Sequence, residues 1–287
     1  MGGSSILPSR TKMIKYCYFN GKIIELKKAS LPIYDLGIVR GYSAFDWFRT
    51  YNGKIFHVKE HYSRFKNSLK EIGLRLDLSF QDFEKTCYEL MKLNKMKESS
   101  FRILMTGGSM TDGLLSTKPN LFILIEPTID PTPVALEKGI KIITSEYLRP
   151  FPLSKSTCYL EAVRLEPAKR KAGASEILFL KDKKLYEFST SNIFIIKKGT
   201  FYTPKNNVLQ GITRKVIIDL LNKDKIKVIE KDISEKELLA ADEVFLTATN
   251  KRVLPIVKIN NNKIGNGQVG QLAKRAQELF DNYILNY

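Results

Sequence analysis

Lys155 is the first residue in this sequence whose chemical type and setting suggest reactivity. It lies in the stretch LSKSTCYL, residues 153–160, beside a short apolar run that is expected to be buried. A lysine near apolar residues usually extends its ammonium group into water, so a buried setting needs a reason. One reason is chemistry, because a lysine amine can act as a nucleophile and can carry a proton.

A polar cluster lies between two apolar runs in LYEFSTSNIFII, residues 185–196. Its polar residues are Glu187, Ser189, Thr190, Ser191 and Asn192. Taken alone, such a cluster is typical of an ordinary turn. Its meaning depends on the chemistry of the segments around it.

Two later segments could bind an anion. In VLQGITRKVIIDLL, Gly211 precedes a predicted amphipathic helix whose first free amides belong to Ile212 and Thr213. Free amides at a helix start, together with a threonine hydroxyl, favour the binding of a phosphate group. Thr247 and Thr249 end a predicted strand in FLTATNKRVLPI and could donate to the same anion.

The two histidines of the chain lie close together in HVKEH. His57, Glu60 and His61 match a pattern in which two helical histidines hold zinc and the glutamate acts as a base. That site needs both histidines on one helix, whereas the preceding hairpin places His57 at the end of a strand. We therefore expect no metal site, and a zinc-dependent hydrolase is kept only as an alternative. Arg64, one turn after His61, could instead bind a phosphate through paired hydrogen bonds.

Composition narrows the class of protein. The chain has 287 residues, 43% of them hydrophobic and 27% charged, which fits a globular protein with a large core. No apolar run approaches the roughly 20 residues of a membrane helix. The net charge of +17 could indicate a nucleic-acid binder, but the basic residues are spread along the chain without a binding motif. Cys17, Cys87 and Cys158 are far apart, which argues against disulfides and indicates a reducing cytoplasm.

Local patterns predict an α+β protein. Asn20-Gly21 and Asn52-Gly53 each lie between β-prone stretches and predict hairpins. Apolar residues at helical spacing predict a helix from about residue 60 and another in the following segment. Buried strands are expected at 101–108, 120–127, 139–144, 176–181, 192–196 and 243–247. Helices are expected near 157–172, 212–222 and 268–284, with Pro167 kinking or shortening the first.

A proline-rich segment predicts where the chain divides. EPTIDPTP, residues 126–133, holds three prolines, which disfavour both helices and interior strands. The predicted organisation is a small α+β domain over 13–126, a linker over 127–137 and a large carboxy-terminal domain over 138–287. Residues 1–12 are expected to be a tag or disordered leader, with Met13 as the candidate native start.

Taken in order, these motifs resemble the class IV aminotransferases, the fold-type IV group of pyridoxal phosphate enzymes. The group includes D-amino-acid and branched-chain aminotransferases and aminodeoxychorismate lyase. The matching elements are the FNG hairpin, FRTYNGKIF, H-x-x-R, K-S-x-x-Y-L, AGASEILFL, E-x-x-x-S-N-I-F, TP, GITR and FLTAT, from about Phe19 to Pro255. The resemblance implies a two-domain α+β fold with the cofactor between the domains.

The resemblance also implies roles for individual residues. Lys155 forms the Schiff base with pyridoxal 5'-phosphate and later carries a proton to and from the substrate, and Glu187 pairs with the pyridinium nitrogen. The implied phosphate ligands are Arg64, Ile212, Thr213 and Thr249. The other implied cofactor contacts are Tyr159, at the phenolic oxygen, with Ser191, Asn192 and Ala248. The expected pocket wall and carboxylate contact are Phe45, Trp47 and Arg102.

Several residues depart from the family pattern. Cys158 replaces a common asparagine, and Phe188 replaces a glycine close to where the cofactor ring is expected. The loop GGSMTDGLL has Asp112 and Leu114 where D-alanine enzymes carry the residues that hold the substrate carboxylate. RPFPLS replaces the glycine-rich stretch that marks branched-chain enzymes. The identity of the substrate therefore stays open.

We expect a pyridoxal-phosphate-dependent aminotransferase that moves an amino group between an amino acid and a 2-oxo acid. Its expected substrate is a branched-chain, hydrophobic or D-amino acid. The alternatives are aminodeoxychorismate lyase, which eliminates pyruvate with the same lysine, and a non-enzymatic binding protein. We expect a symmetric cytoplasmic homodimer in which the GGSMTDGLL loop helps to close the partner's site, with no nucleic-acid or membrane partner.

Overall fold

A computed structural model describes residues 14–116 and 118–287, and contacts divide the chain into two compact units. The first unit contains the residues up to 129 together with 154–157 and Tyr287. The second contains residues 130–153 and 158–286. Residues 154–157 thus group with the first unit, although they fall within the predicted carboxy-terminal domain. The predicted leader at residues 1–12 lies outside the described residues.

The first unit is built around an antiparallel sheet. Its elements are β1 (Tyr16–Phe19), β2 (Lys22–Glu25), a short 3-10 helix (Leu26–Lys28), α1 (Leu36–Val39), β3 (Ser43–Tyr51), β4 (Lys54–Ile55), α2 (Val58–Glu71), α3 (Phe80–Leu93), β5 (Ser100–Thr106), β6 (Met110–Asp112), β7 (Leu115–Ser116) and β8 (Asn120–Glu126). The strand order is β2-β1-β8-β5-β3-β4, and β6 pairs with β7 in a separate hairpin. The loop GGSMTDGLL therefore contains a small hairpin of its own.

Both hairpins that the Asn-Gly pairs predict are confirmed. β1 pairs with β2 through Asn20 and Gly21, and β3 pairs with β4 through Asn52 and Gly53. All four residues have positive φ, at 46° and 91° in the first turn and 53° and 75° in the second. Asparagine and glycine tolerate this left-handed backbone better than other residues, which explains their place in tight hairpins.

The second unit is built around a mixed sheet. Its elements are α4 (Pro133–Lys138), β9 (Ile140–Glu146), α5 (Leu160–Lys171), β10 (Glu176–Lys181), β11 (Lys184–Phe188), β12 (Asn192–Lys197), β13 (Thr200–Thr203), α6 (Ile212–Lys223), β14 (Val228–Glu230), α7 (Glu235–Leu239), β15 (Glu243–Ala248), β16 (Arg252–Ile259), β17 (Asn262–Lys263) and α8 (Gln271–Leu285). The strand order is β11-β10-β9-β16-β15-β12-β13-β14, with β17 added to β16. β9 runs parallel to both of its neighbours.

The predicted strands and helices of this unit are present, with small shifts of their ends. The helix α5 begins at Leu160 and continues through Pro167 to Lys171, so the proline does not end it. None of the helices among the described residues combines the length and the apolar content that a bilayer crossing requires.

One face of the sheet in the first unit packs against α2 and α3. Its buried strand residues are Ala44, Phe48, Phe101, Ile103, Ile123 and Ile125, and the helices contribute Phe65, Leu69, Phe83, Cys87 and Leu90. Side chains alternate along a strand, so the residues between these lie on the opposite face. That second face carries the side chains of Phe45, Trp47, Arg102, Leu104 and Leu124.

A buried carboxylate joins β3 to α2. Asp46 is fully buried and lies 2.8 Å from both His61 Nδ1 and the Arg64 guanidinium. Although burial raises the pKa of a carboxyl group, Arg64 and His61 together hold the pKa of Asp46 well below its usual range. Burial lowers the pKa of His61 to about 4, against the opposing effect of Asp46. His61 is therefore neutral at pH 7.

The neutral His61 predicts an acid-sensitive fold. An unfolded histidine has a pKa of about 6.5, so the unfolded chain binds more protons than the folded chain between that pH and the folded pKa of about 4. We expect the free energy of unfolding to fall by about 1–2 kcal/mol from His61 alone as the pH drops from 7 to 5. Denaturant unfolding at both pH values measures this loss.

His61→Gln is the matched variant, because glutamine can still donate to Asp46 but does not titrate. Its stability should fall less over the same pH interval. An equal fall in both proteins would show that other groups cause the acid sensitivity.

Candidate active site

Lys155 lies on a short segment whose backbone is held by β3 and α2. The Phe45 amide donates to the Lys155 carbonyl over 2.9 Å, and the Lys155 amide donates to Ser68 Oγ over 3.0 Å. The buried Ser154 hydroxyl donates to the Ser68 carbonyl over 2.9 Å. These bonds fix the backbone at Lys155, so its side chain extends from a defined point.

The Lys155 amine lies over the ring of Phe45, and the Arg102 guanidinium lies over the same ring. Its Nζ is 4.7 Å from the centroid of the Phe45 ring, and the guanidinium carbon of Arg102 is 5.7 Å from the same centroid. Trp47 on β3 is directly opposite Arg102 on β5. The structure thus brings Lys155 together with the three residues predicted as pocket wall and carboxylate contact.

Arg102 is engaged by a carboxylate that the sequence did not single out. Its Nε and Nη2 donate to Glu126 over 3.0 Å and 3.4 Å. Trp47 Nε1 donates over 3.2 Å to Glu126 Oε2, the oxygen that also accepts from Arg102 Nη2. The predicted carboxylate contact therefore already has an internal carboxylate partner.

Arg64, a predicted phosphate ligand, lies on α2 with its guanidinium oriented by Asp46. Two of its nitrogens donate to the two Asp46 oxygens, each over 2.8 Å. His57 does not share α2 with His61 as the zinc pattern requires, because it precedes the helix in a left-handed conformation with φ of 45°. The Nδ1 atom of His61 is hydrogen-bonded to Asp46.

In the second unit, Glu187 is a buried carboxylate with an arginine partner. Arg149 donates to Glu187 Oε1 from Nε over 3.1 Å and from Nη2 over 2.7 Å. The Leu209 amide donates to Oε2 over 3.0 Å. Both oxygens of Glu187 are thus oriented, and Oε2, which accepts only one of these three bonds, retains capacity to accept another.

Phe188 and Glu187 point to opposite faces of β11. Consecutive residues of a strand point to opposite faces, and Glu187 and Phe188 are consecutive on β11. Phe188 is buried in the core cluster with Leu178 and Leu246. The expectation that it lies close to the cofactor ring stays a prediction. Tyr159 immediately precedes α5.

The start of α6 is shaped by a close approach of side chain and backbone. Asn192 donates to the Leu209 carbonyl over 2.9 Å, and a Cβ atom on Gly211 would lie 1.9 Å from Asn192 Oδ1. Only glycine leaves room for this approach. Ile212 and Thr213 follow as the first residues of the helix, and both are buried.

A second ion pair joins two loops of this unit. Glu176 is buried and pairs with Lys251, two residues beyond Thr249. Ser189 and Thr190 also donate to Glu176, over 2.9 Å and 2.8 Å. The pair thus connects the turn that leads to Ser191 and Asn192 with the loop that follows Ala248 and Thr249.

The motifs assigned no role to the supporting residues Asp46, Glu126, Arg149, Glu176 and Lys251, although Glu176 lies within AGASEILFL. One signal was available for Asp46, because a charged residue within the apolar run FDWF must be paired when it is buried. Arg149 was visible only as part of a departure from the family pattern. The partners in these ion pairs are far apart in the sequence, so no fixed spacing between them can be recognised as a motif.

The chain is similar to known aminotransferases over nearly its whole length. Residues 43–259 match the family described as amino-transferase class IV. A putative branched-chain-amino-acid aminotransferase of Methanocaldococcus jannaschii is 32% identical over 274 residues, which cover 92% of this chain and 94% of that protein. A D-alanine aminotransferase of Staphylococcus epidermidis is 31% identical over 276 residues, which cover 94% of this chain and 98% of that protein.

Structural comparison agrees with this result. The branched-chain amino acid aminotransferase of Escherichia coli matches with a TM-score of 0.88 and 25% sequence identity, over 94% of this chain and 95% of that chain. These findings confirm the α+β fold class and the resemblance that the motifs indicated. The chain belongs to the class IV aminotransferases, whose members use pyridoxal phosphate.

Proposed function

We propose that this chain binds pyridoxal 5'-phosphate through Lys155 and transfers an amino group between an amino acid and a 2-oxo acid. The observation that carries the proposal is the fixed backbone at Lys155, with its amine over the Phe45 ring. An amine that bonds to a cofactor must lie at a defined point, which this anchoring provides.

The residues of the second unit fit the charged groups of this cofactor. The close packing of Gly211 on Asn192 and the buried amides at the start of α6 suit a phosphate. Thr247, which faces Asn192 across β12 and β15, has a buried hydroxyl without a hydrogen-bond partner among the described residues. A buried hydroxyl of this kind is suited to donate to an anion. The proposed phosphate ligands are Arg64, Ile212, Thr213 and Thr249, with Ser191, Asn192 and Ala248 beside them.

Glu187 is suited to hold a protonated ring nitrogen. Arg149 and the Leu209 amide orient its two oxygens. Tyr159 is the proposed partner of the phenolic oxygen. When bound, pyridoxal phosphate supplies an aldehyde that condenses with amines and a ring that withdraws electrons from the substrate. The Lys155 amine then carries the proton to and from the substrate's α-carbon.

The substrate is proposed to be a branched-chain, hydrophobic or D-amino acid. The names of the two relatives support this range, since one is a putative branched-chain-amino-acid aminotransferase and the other a D-alanine aminotransferase. The face of the sheet that carries Phe45 also carries Leu104 and Leu124, which suits an apolar side chain. Elimination of pyruvate from aminodeoxychorismate is the alternative reaction on the same lysine.

A symmetric homodimer is part of the proposal. Ile33, Tyr34 and Leu114 are apolar side chains that are 65–73% exposed, and the segments that carry them pair where the Met110 amide donates to the Tyr34 carbonyl. Such a cluster favours a protein interface. We propose that the GGSMTDGLL loop contributes to the partner's site. A cytoplasmic location is also proposed, and the three free cysteines support it.

Substitution of Lys155 tests the cofactor assignment. The unmodified protein should be yellow with bound cofactor, and borohydride should fix the cofactor to the peptide that contains Lys155. Lys155→Ala should lose the covalent link to the cofactor. Its turnover rate should fall at least a hundredfold, which is roughly the contribution of a positioned proton carrier. The control is Lys181→Ala, which removes an exposed lysine paired only with Glu146 on the surface. A colourless protein that ignores added cofactor would contradict the assignment.

A panel of L- and D-amino acids separates the candidate reactions. We expect the loaded protein to convert at least one apolar amino acid into its 2-oxo acid while the cofactor passes to its amino form, which absorbance measures. If no amino acid reacts while aminodeoxychorismate yields pyruvate, the protein is a lyase. A zinc hydrolase would instead contain one metal ion per chain and lose its activity to chelators.

Dimerisation is tested by charging the exposed apolar cluster. Tyr34→Asp should shift the protein toward monomers in sedimentation at increasing dilution, because a buried unpaired carboxylate is unfavourable at an interface. Leu239→Asp is the control, since Leu239 is also exposed, at 46%, but belongs to α7 in the other unit. A monomer with full activity per chain at every concentration would show that no second subunit is needed.

A further inference from the structure

The Arg102–Glu126 pair occupies the sheet face on which Lys155 lies. The Lys155 ammonium and the Arg102 guanidinium both lie over the Phe45 ring, so their separation cannot exceed the two ring distances together. A substrate that reacts at Lys155 therefore lies over a sheet face that also carries Arg102. A residue that neutralises the charge of Arg102 therefore changes the electrostatic environment of the substrate.

Glu126 neutralises the positive charge of Arg102 by forming an ion pair with it. It accepts two hydrogen bonds from Arg102 and one from the Trp47 indole, so three donors hold its carboxylate in place. The two ions neutralise one another, and the apolar neighbours on this face are Phe45, Leu104 and Leu124. Arg49 also lies on this face, two residues beyond Trp47 on β3. An apolar substrate side chain can bury surface here without separating a charge from its partner.

A substrate with a carboxylate at the end of its side chain meets a different environment. It would compete with Glu126 for the same guanidinium and would lie beside a like charge that cannot leave, because Trp47 also holds it. Both side chains of the pair are about one-third exposed, so the repulsion is weakened by solvent but not abolished.

Resting on the proposed function, we propose that Glu126 is a specificity-determining residue that directs the enzyme to amino acids with uncharged, apolar side chains. It acts by masking Arg102 and by repelling a second carboxylate. Glutamate and aspartate, with their acidic side chains, are the substrates that it disfavours. The inference is independent of whether the enzyme takes L- or D-amino acids.

Glu126→Gln tests this role, because the amide oxygen can still accept from Trp47 while the negative charge is removed. The measured quantity is the ratio of kcat/KM for glutamate to kcat/KM for leucine, in whichever enantiomer the protein uses. We expect the ratio to rise about tenfold, mainly through KM, as Arg102 becomes available to a second carboxylate. The further substitution Arg102→Gln should remove the gain.

Binding of unreactive acids gives a second readout that needs no turnover. Calorimetry should show that the unmodified protein binds 4-methylpentanoate more tightly than glutarate, and that Glu126→Gln reverses or narrows this preference. Glu146→Gln is the matched control, since it removes a carboxylate from an exposed pair with Lys181 and should leave both ratios unchanged.

Each outcome decides the proposal. An unchanged ratio in a folded, active Glu126→Gln variant would overturn it. An equal gain for leucine and glutamate would also overturn it, and would assign Arg102 to the carboxylate that all amino acids share. If Glu126→Gln does not fold, the unmodified protein still decides, because a preference for glutarate over 4-methylpentanoate contradicts the role. A protein that transaminates no amino acid would overturn the proposed function first, and this inference with it.

Discussion

The anchoring of residues 154–157 to β3 and α2 is the constraint on which the rest of the candidate site depends. An amine that bonds to a cofactor and then carries a proton is effective only when its chain begins at a fixed point. The Phe45 amide and the Ser68 hydroxyl fix the backbone of Lys155, and the bridge between Ala44 and Ser156 extends the pairing by one residue. The flexible part of the site is then limited to the four-carbon stem of the lysine.

Three charged side chains at or beside the predicted site share one physical feature: each is paired with a side chain of opposite charge that is distant in the sequence. The pairs are Arg64 with Asp46, Glu187 with Arg149, and Lys251 with Glu176, beside Thr249. Burying a charge is costly unless it is paired and hydrogen-bonded, so these partners make buried charges possible where a charged cofactor must bind. They also orient the groups, because each carboxylate accepts from more than one donor.

These pairs are more deeply buried than the Arg102–Glu126 pair, which is proposed to contact the substrate. Asp46 is fully buried and the Arg64 side chain is only 12% exposed, so solvent does little to weaken their attraction. The side chains of Arg102 and Glu126 are 38% and 32% exposed, and their attraction is correspondingly screened. The buried pair is suited to a fixed ligand such as a phosphate. The more exposed pair is suited to discriminate among small substrates that enter and leave.

Much of this protein was determined by the sequence alone, where the deciding forces act over a few residues. The Asn-Gly hairpins, the buried strands and the main helices followed from backbone sterics and from the period of apolar residues. The order of the motifs identified the family, and the alternation of β11 would have placed Phe188 opposite Glu187 once the strand was known.

Only the tertiary structure decided which charges meet and which backbone holds Lys155. Arg149 and Glu187 are 38 residues apart, and Glu176 and Lys251 are 75 apart. No spacing rule predicts such pairs, because strand register and loop packing bring them together. The same reason explains why residues 154–157 group with the first unit although they lie far beyond it in sequence. Their hydrogen bonds to Phe45 and Ser68 arise only after β3 and α2 have formed.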